Sequence, residues 1–283
     1  MRFVIGLLKL GENLRSCTGG KMLLRNAPRE CNAYSYFYRY LVDKWESFLD
    51  SKERPEIKRQ LIEELVKILR EQAKTICERA KTILSIIEEG YYRLGYDVLP
   101  FEAKLGERGL FGTSQMFGII PFEVGLEFDP YLNAPIIPGS SIKGVVRSVW
   151  CILFGERGKR SEDLIFGSTR HAGICIFHDG YPTEPGENNC LLYPDVLTPH
   201  YVRERKDILE EHLVTPSPIV YLTVAPGTKF KFIVAVRKEG VSRDVYKELQ
   251  DKLKEAFREM LKLGIGSKTS IGYGRFTFLE GST

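Results

Sequence analysis

From residue 98 onward, the chain changes from a helical period to a sequence of strand and helix patterns that few folds can accommodate. The stretches VLPFEAKL (98–105) and GIIPFEVGLEF (118–128) alternate apolar and polar residues, as strands do. The patterns that follow predict, in chain order, a helix that begins after Gly139 and extends to about 155, strands at 172–182 and 188–202, a helix at about 242–263 and a final strand at 273–280.

Taken together, these elements follow the order strand–helix–strand–strand–helix–strand, with long insertions between the second and third strands. This order is the plan of the ferredoxin-like fold and of the RRM. The run at 218–237 has two β-rich segments around Pro226-Gly227 and predicts a hairpin. We therefore expect an α+β fold, a ferredoxin-like, RRM-type domain with insertions.

The region before residue 98 is mainly helical. Aromatic and apolar residues recur at helical spacing over 31–49, and a longer amphipathic pattern runs from Pro55 to a predicted stop at Gly90. We predict two parts, a helical N-terminal region at 1–97 and the ferredoxin-like domain at 98–283. The helical region is either a packed subdomain or a contact surface for another subunit.

A glycine-rich loop, LGIGSKTSIGYGRF, connects the second predicted helix to the last strand. A nucleotide-binding P-loop has the opposite order, with a strand before the glycines and a helix after them. Consecutive amides in such a loop can still bind an anion, assisted by cationic and hydroxyl side chains. The candidates are Gly264, Gly266, Lys268, Thr269, Ser270, Gly272, Gly274 and Arg275. The alternative is a turn that only permits close helix–strand packing.

The start of the first predicted helix has similar chemistry. Free amides at a helix N-terminus, with hydroxyls and cations nearby, favour an anion. The candidates are Gly139, Ser140, Ser141, Lys143 and Arg147, with Ser140 or Ser141 as the predicted N-cap. The alternative is an ordinary capped helix with surface cations.

Net charge adds little to these local patterns. The 41 Lys and Arg residues nearly balance 37 acids, which leaves a formal charge of +4. Six cysteines are scattered without a CxxC pair, so a zinc ribbon or a redox pair is not indicated, and we expect no metal or cofactor. The first residues, MRFVIGLLKL, are interrupted by Lys9 and are followed by no small-residue cleavage site, so we expect a cytoplasmic protein.

Three stretches of the chain resemble the RAMP superfamily of CRISPR-associated RNA-binding proteins. They are PIIPGSSIKGVVRS (135–148), YPDVLTPHY (193–201) and GIGSKTSIGYGRF (264–276). The second stretch, with PSPIVYLTVAPGTKFKF after it, is similar to one branch, the sixth-named subunit of the Cmr complex. That complex is the type III-B CRISPR effector that cuts target RNA.

This resemblance implies a subunit that binds the guide RNA near its 3′ end. Its partners would be a backbone RAMP subunit and another terminal subunit, and target cleavage would belong to a different subunit. The resemblance assigns RNA contact to Gly264, Gly266, Lys268, Thr269, Gly272, Gly274 and the stretch 139–143. No aromatic RNP motif is visible, so contact with the RNA backbone is expected rather than base stacking.

Two other functions remain open at this stage. Some RAMP proteins are endoribonucleases that process CRISPR transcripts with a histidine, and this chain has His171, His178, His200 and His212. We interpret His200 as structural, and we interpret the acids Asp179, Glu184, Glu187 and Asp195 as solvated loop residues. A subunit that contacts only protein is the other alternative.

Overall fold

A computed structural model of the protein describes residues 31–155, 159–198, 218–238 and 242–279. These residues form seven α-helices: α1 (Ala33–Asp43), α2 (Trp45–Leu49), α3 (Arg54–Arg93), α4 (Met116–Phe122), α5 (Gly139–Phe154), α6 (Lys159–Phe166) and α7 (Arg243–Leu263). They also form nine strands: β1 (Tyr96–Leu105), β2 (Phe128–Asp129), β3 (Ala134–Pro135), β4 (Cys175–Phe177), β5 (Tyr181–Glu184), β6 (Leu192–Leu197), β7 (Ile219–Val224), β8 (Lys229–Arg237) and β9 (Phe276–Phe278).

The main sheet has the strand order β4-β8-β1-β9, and β5 also pairs with β8. All of these pairings are antiparallel, and the longest runs from Tyr96 opposite Arg237 to Lys104 opposite Lys229. If β4 and β5 count as the second strand of the plan, the order in space is second, third, first and fourth. This is the ferredoxin-like arrangement, so the predicted α+β, RRM-type fold is confirmed.

The two predicted helices pack on one face of this sheet. Phe257 of α7 lies parallel to Phe101 of β1, with ring centroids 3.9 Å apart, and meets Phe232 of β8 edge-on at 5.6 Å. Successive residues of a strand point to opposite faces. Lys231 therefore points away from α7, and its Nζ lies 2.9 Å from a carboxylate oxygen of Glu88 on α3. The long helix α3 covers the second face.

The N-terminal helices are tied to the sheet domain through side-chain amides. The Ala33 amide donates to Asn133 Oδ1 at 2.8 Å, and Asn133 Nδ2 donates to Gln72 Oε1 at 3.2 Å. Gln72 Nε2 in turn donates to the carbonyl of Cys31 at 2.7 Å. The chain passes from α3 to β1 between Arg93 and Tyr96. The domain boundary at residues 97 and 98 stays a prediction.

Two helix boundaries differ from the predicted ones. Helix α3 continues through Gly90 to Arg93, because Gly95, and not Gly90, adopts the left-handed conformation, with φ of 81°. Helix α5 begins at Gly139 with Pro138 as its N-cap, so the predicted cap at Ser140 or Ser141 is wrong.

Two strand predictions are also wrong. The stretch at 118–128 contributes most of the irregular helix α4 and only one residue of β2. The predicted hairpin at 218–237 does not form, because β7 pairs with β6 whereas β8 pairs with β1. The bend between them is held by Leu105, whose amide donates to the Thr228 carbonyl and whose carbonyl accepts from the Gly227 amide. The two segments therefore belong to different sheets.

Several predictions concern residues outside the described ranges. These are the first residues with Lys9, the end of the predicted strand at 199–202, and His200 and His212. Within the described residues, no helix combines the length and apolarity required to cross a membrane.

We expect Phe257→Ala to lower the free energy of unfolding by about 3–5 kcal/mol, because it removes a buried ring from between α7 and the sheet. Urea denaturation followed by circular dichroism measures this change. Val245→Ala, on the same helix but 44% exposed, is the matched control and should cost less than about 0.5 kcal/mol. Equal losses for the two variants would contradict this packing.

Candidate nucleic-acid interface

The glycine loop lies between the end of α7 at Leu263 and the start of β9 at Phe276. Gly264, Gly266, Gly272 and Gly274 all have positive φ values, between 64° and 101°. A Cβ on Gly274 would lie 1.9 Å from the Ile265 carbonyl oxygen. Glycine is therefore required at this position by the backbone alone. The glycine-rich turn therefore does permit close packing of the backbone, and this role is compatible with anion binding.

Most amides of the loop are used in holding its own shape. The amide of Ile265 donates to Gly274 O, that of Ser267 to Leu110 O and that of Gly274 to Arg108 O, each at 2.9 Å. These bonds fix the loop to its own start and to the chain that follows β1. The loop is thus a rigid, internally bonded element rather than an open ring of amides.

Three consecutive amides of the loop remain available. Lys268 adopts a left-handed conformation, with φ 62° and ψ 26°, and a short 3-10 turn follows at Thr269–Ile271. The amides of Lys268, Thr269 and Ser270 donate to no residue in the described ranges. A left-handed residue followed by right-handed ones turns successive amides toward one point, which forms an anion-binding nest. Ser270 is exposed and Lys268 and Thr269 are partly exposed, so this turn lies at the protein surface.

The Lys268 side chain turns back from the nest toward two aromatic rings. Its Nζ donates to the Tyr221 hydroxyl at 2.6 Å. The same ammonium lies 4.8 Å from the centre of the Tyr221 ring and 5.4 Å from the centre of the Tyr273 ring. Cation–π attraction and one hydrogen bond therefore fix the charge of Lys268 in place while the residue stays half-exposed.

Asp195 lies behind these tyrosines with its side chain only 9% exposed. Its Oδ2 accepts hydrogen bonds from the hydroxyls of Tyr221 and Tyr273, and its Oδ1 accepts from Arg108 Nη1 at 2.9 Å. The amide of Val196 also donates to Oδ1, at 2.8 Å. The interpretation of Asp195 as a solvated loop acid is therefore wrong. We call Arg108, Asp195, Tyr221, Lys268 and Tyr273 the Asp195 cluster.

The protonation states in this cluster follow from their surroundings. Burial alone would raise the pKa of Asp195, but hydrogen bonds from Tyr273, the Val196 amide and Tyr221, together with the Arg108 charge, hold it below its usual 3.8. Burial, followed by the hydrogen bond to Asp195, raises the pKa of Tyr221 well above its usual value. Asp195 is thus an anion and Tyr221 a neutral donor at physiological pH.

The start of α5 is less open than its sequence indicates. The Gly139 amide donates to Asp179 Oδ1 at 2.6 Å, so a carboxylate already occupies this position, and Asp179 is not a solvated loop acid. A Cβ on Gly139 would lie 2.3 Å from the Phe177 carbonyl oxygen, which explains the glycine. Arg147 Nε is paired with Glu162 Oε1 at 2.6 Å.

Three of the predicted residues at this helix start remain available. Ser140 and Ser141 are exposed, and Lys143 is half-buried. Lys143 forms no ion pair with any residue of the described ranges. Lys143 is therefore the cation of the helix start that has no ion-pair partner among the described residues, whereas Arg147 has one guanidinium nitrogen paired with Glu162 and a side chain that is 43% exposed.

The two candidate stretches lie beside opposite outer strands of the sheet. Gly139 packs against Phe177 of β4, whereas the glycine loop leads into β9. Three interstrand spacings separate the outer strands, which places the two edges about 14 Å apart across the sheet. The two stretches are also offset along the strands, because β4 lies level with residues 97–99 of β1 and β9 with residues 103–105. One phosphate group cannot contact both stretches, but an extended polyanion of several units can.

Arg275 lies on the loop side of this arrangement. Its Nε donates to the Thr269 carbonyl at 3.2 Å, which braces the nest from behind. Its own carbonyl accepts from the Gly106 amide at 2.9 Å. Arg275 therefore supports the loop, and its side chain remains exposed.

The two described histidines are engaged in local hydrogen bonds. His171 Nδ1 lies 2.9 Å from Ser168 Oγ, and His178 Nδ1 lies 3.1 Å from the Asp179 carbonyl. Among the residues that the structure describes, no three His, Cys, Asp or Glu side chains form a group that could hold a metal ion.

Sequence reasoning missed most of the Asp195 cluster. Asp195 and Tyr221 lie in stretches that resemble the family, and Tyr273 lies between two of the candidate glycines, yet none was assigned to a site. No motif in the sequence pointed to Arg108 itself. The glycines that surround it, at 106, 109 and 112, are the one feature of the sequence that marks this segment as special.

A sheet in the ferredoxin-like order, with a glycine loop between its second helix and last strand, defines the class as RRM-like. Comparisons with known proteins refine this class. A family model described as the RAMP superfamily matches residues 109–277. The CRISPR system CMR subunit Cmr6 of Saccharolobus solfataricus is 33% identical over 213 residues, which are 75% of this chain and 69% of that protein. The chain therefore belongs to the RAMP superfamily, in the Cmr6 family.

A second relative agrees with this assignment, and one solved structure shares the fold. Cmr6 of Pyrococcus furiosus is 33% identical over 117 residues, 39% of this chain and 32% of that protein. A chain in the cryo-EM structure of the type III-B Cmr-beta complex bound to cognate target RNA has the same fold, with a TM-score of 0.73 and 24% identity. That similarity covers 99% of this chain and 97% of the other.

We expect Gly274→Ala to destabilise the protein by about 2–4 kcal/mol, from its left-handed φ and the forced approach to Ile265 O. The matched control is Gly144→Ala on α5, where a Cβ meets nothing within 4 Å. This control should gain about 0.5–1 kcal/mol. Thermal unfolding of both variants measures the difference, and a neutral Gly274→Ala would contradict the loop geometry.

The depressed pKa of Asp195 gives a pH dependence with a defined sign. Its stabilising contribution is complete above the unfolded value of 3.8 and is lost as pH falls through the lower folded value. Asp195→Asn should therefore be less stable than the wild type at pH 7, and this gap should shrink below pH 3.8. Denaturant titrations across pH, with exposed Asp251→Asn as control, measure the gap. A gap independent of pH would contradict the assignment.

Proposed function

We propose that this chain is a non-catalytic, guide-RNA-binding subunit of a type III-B CRISPR (Cmr) RNA-targeting complex. It acts in the cytoplasm, near the 3′ end of the guide. Its protein partners are a backbone RAMP subunit and another terminal subunit. The observation that carries the proposal is the nest of three free amides, Lys268 to Ser270, in a chain of the Cmr6 family.

The chemistry of the nest fits a phosphodiester. Backbone amides donate to phosphate oxygens and have no contact with the base, so the loop accepts any sequence. The ammonium of Lys268 is held behind the loop by Tyr221 and Tyr273, so it adds positive potential to the site without needing to be ordered when the RNA arrives. The described loop therefore offers a preformed site for one phosphate of a single strand.

A second phosphate contact is proposed at the start of α5. Lys143, Ser140 and Ser141 are accessible there, while the Gly139 amide is already capped by Asp179. The guide backbone would cross from the β9 edge to the β4 edge, with its bases left free to pair with a target. Sequence specificity would then come from base pairing, as in other RNA-guided systems.

The non-catalytic part of the proposal rests on the surroundings of the described histidines. His171 and His178 hydrogen-bond to local groups, and neither is near Lys268 in the contacts of the described chain. The competing function is a RAMP endoribonuclease that processes CRISPR transcripts. The endoribonuclease would cleave the RNA, whereas the proposed subunit would leave it intact.

The test measures binding of labelled single-stranded guide RNA against salt, for the full chain and for the reconstituted Cmr complex. Lys143→Gln/Lys268→Gln should weaken binding and reduce the salt slope by about 1.4, because each phosphate contact to a single strand contributes roughly 0.7. The control is Lys74→Gln, an exposed lysine on α3.

The outcomes separate the candidate functions. A reduced slope with intact RNA on a gel supports the proposal. An unchanged slope in both chain and complex would contradict RNA contact and favour a protein-only subunit. Cleaved RNA would favour the endoribonuclease.

A further inference from the structure

Three distant segments of the chain meet at the Asp195 cluster. Arg108 follows β1, Asp195 and Tyr221 belong to the β6–β7 ribbon, and Lys268 and Tyr273 belong to the glycine loop. Two cations thus flank one buried anion, which leaves the cluster with a net charge of one positive unit. A buried carboxylate reduces the attraction of the site for RNA, so its presence requires an explanation other than charge.

Arg108 has the geometry of a prepared phosphate ligand. Its Nη1 is fixed by Asp195, its Cζ lies 5.2 Å from the centre of the Tyr193 ring, and its side chain is 37% exposed. A guanidinium is a planar fork with five N–H donors, so one fixed edge leaves others for a second anion. The Arg108 carbonyl accepts from Gly274, which places this residue directly against the glycine loop.

Asp195 connects Arg108 to Lys268 through a short chain of hydrogen bonds. Oδ1 holds Arg108, and Oδ2 holds Tyr221, whose hydroxyl accepts from Lys268 at 2.6 Å. Each step has a donor on one side and an acceptor on the other, and Asp195 accepts at every one of its bonds. The carboxylate therefore sets the positions of both cations relative to the nest.

We propose that Arg108 is a further contact to the RNA backbone, and that Asp195 is a positioning residue that presents Arg108 and Lys268 to it. This inference rests on the proposed function. It extends the site from the glycine loop to the segment after β1, and it requires a carboxylate at position 195 rather than its neutral isostere.

The amide isostere tests Asp195 because geometry and charge predict opposite results. Asn at this position removes a negative charge, so charge alone predicts tighter RNA binding. An asparagine also replaces one acceptor oxygen by an NH₂ donor, which meets the donors of Arg108 or of the tyrosines. Positioning therefore predicts weaker binding, by about tenfold, with a smaller salt slope.

Arg108→Lys tests the role of the planar guanidinium of Arg108 without changing Asp195. It preserves the charge but removes the planar fork and the stacking on Tyr193. We expect binding of single-stranded guide RNA to weaken by about fivefold with little change in salt slope. The matched control is Arg258→Lys, since Arg258 also stacks on a ring, that of Phe278 at 5.3 Å, on the exposed side of α7.

The experiment is fluorescence anisotropy of labelled guide RNA with the full chain and the reconstituted complex, after thermal melts show which variants are folded. Weaker binding by folded Asp195→Asn and by Arg108→Lys, with Arg258→Lys unchanged, supports the inference. Unchanged or tighter binding by Asp195→Asn, or unchanged binding by Arg108→Lys, overturns it. If Asp195→Asn does not fold, RNA binding by Arg108→Lys alone decides whether the inference holds.

Failure of this inference is distinguishable from failure of the proposed function. If the wild type binds no RNA, alone or in the complex, both are wrong. If the wild type binds and only Lys143→Gln/Lys268→Gln weakens binding, the proposed function stands and the role of Arg108 and Asp195 is wrong.

Discussion

The chain from Leu105 to Leu110 holds the candidate site together through its backbone hydrogen bonds. Leu105 bonds to the bend before β8, and the Gly106 amide donates to Arg275 O. Gly109 exchanges two hydrogen bonds with Val224 of β7, while the carbonyls of Arg108 and Leu110 accept from the glycine loop. One short segment therefore fixes the main sheet, the β6–β7 ribbon and the loop relative to one another. The side chains of the Asp195 cluster can meet only because this backbone frame exists.

This frame has an energetic consequence for binding. Most of the loop amides and the Asp195 carboxylate have their partners before any ligand arrives, and they hold the three free amides of the nest in place. Little conformational entropy therefore remains to be lost when RNA binds. The formal net charge of +4 is spread over the whole chain and does not preorganise a binding site. Affinity in this account comes from a few prepared donors, and local geometry matters more than total charge.

Regular elements with a strong period could be predicted from the sequence. Helix α7 and the order of the main strands follow from apolar periodicity and glycine positions, which are local signals. The bend at Pro226-Gly227 was also visible, but the partners of the strands on its two sides were not. A proline-glycine pair marks a turn, whereas strand pairing depends on Leu105, more than a hundred residues earlier. Distant contacts of this kind leave no trace in the local pattern.

The same limit applies to the site. The glycine loop was recognised because its residues are adjacent in sequence, although the structure shows that Lys268 turns inward. Asp195 was interpreted as solvated because it was grouped with nearby acids in a probable loop, whereas its hydrogen-bond partners Tyr221 and Tyr273 come from β7 and the glycine loop. The pairing of Arg147 with Glu162 was likewise not predicted, because the two residues lie on different helices and 15 positions apart.

The most direct test of the central claim is ultraviolet crosslinking of the assembled Cmr complex to its guide RNA, with crosslinked peptides identified by mass spectrometry. The account predicts crosslinks to this subunit within 264–275 and in the segment around Arg108. Crosslinks confined to α1–α3, or none to this subunit while others crosslink, would contradict the claim that the glycine loop binds the guide backbone.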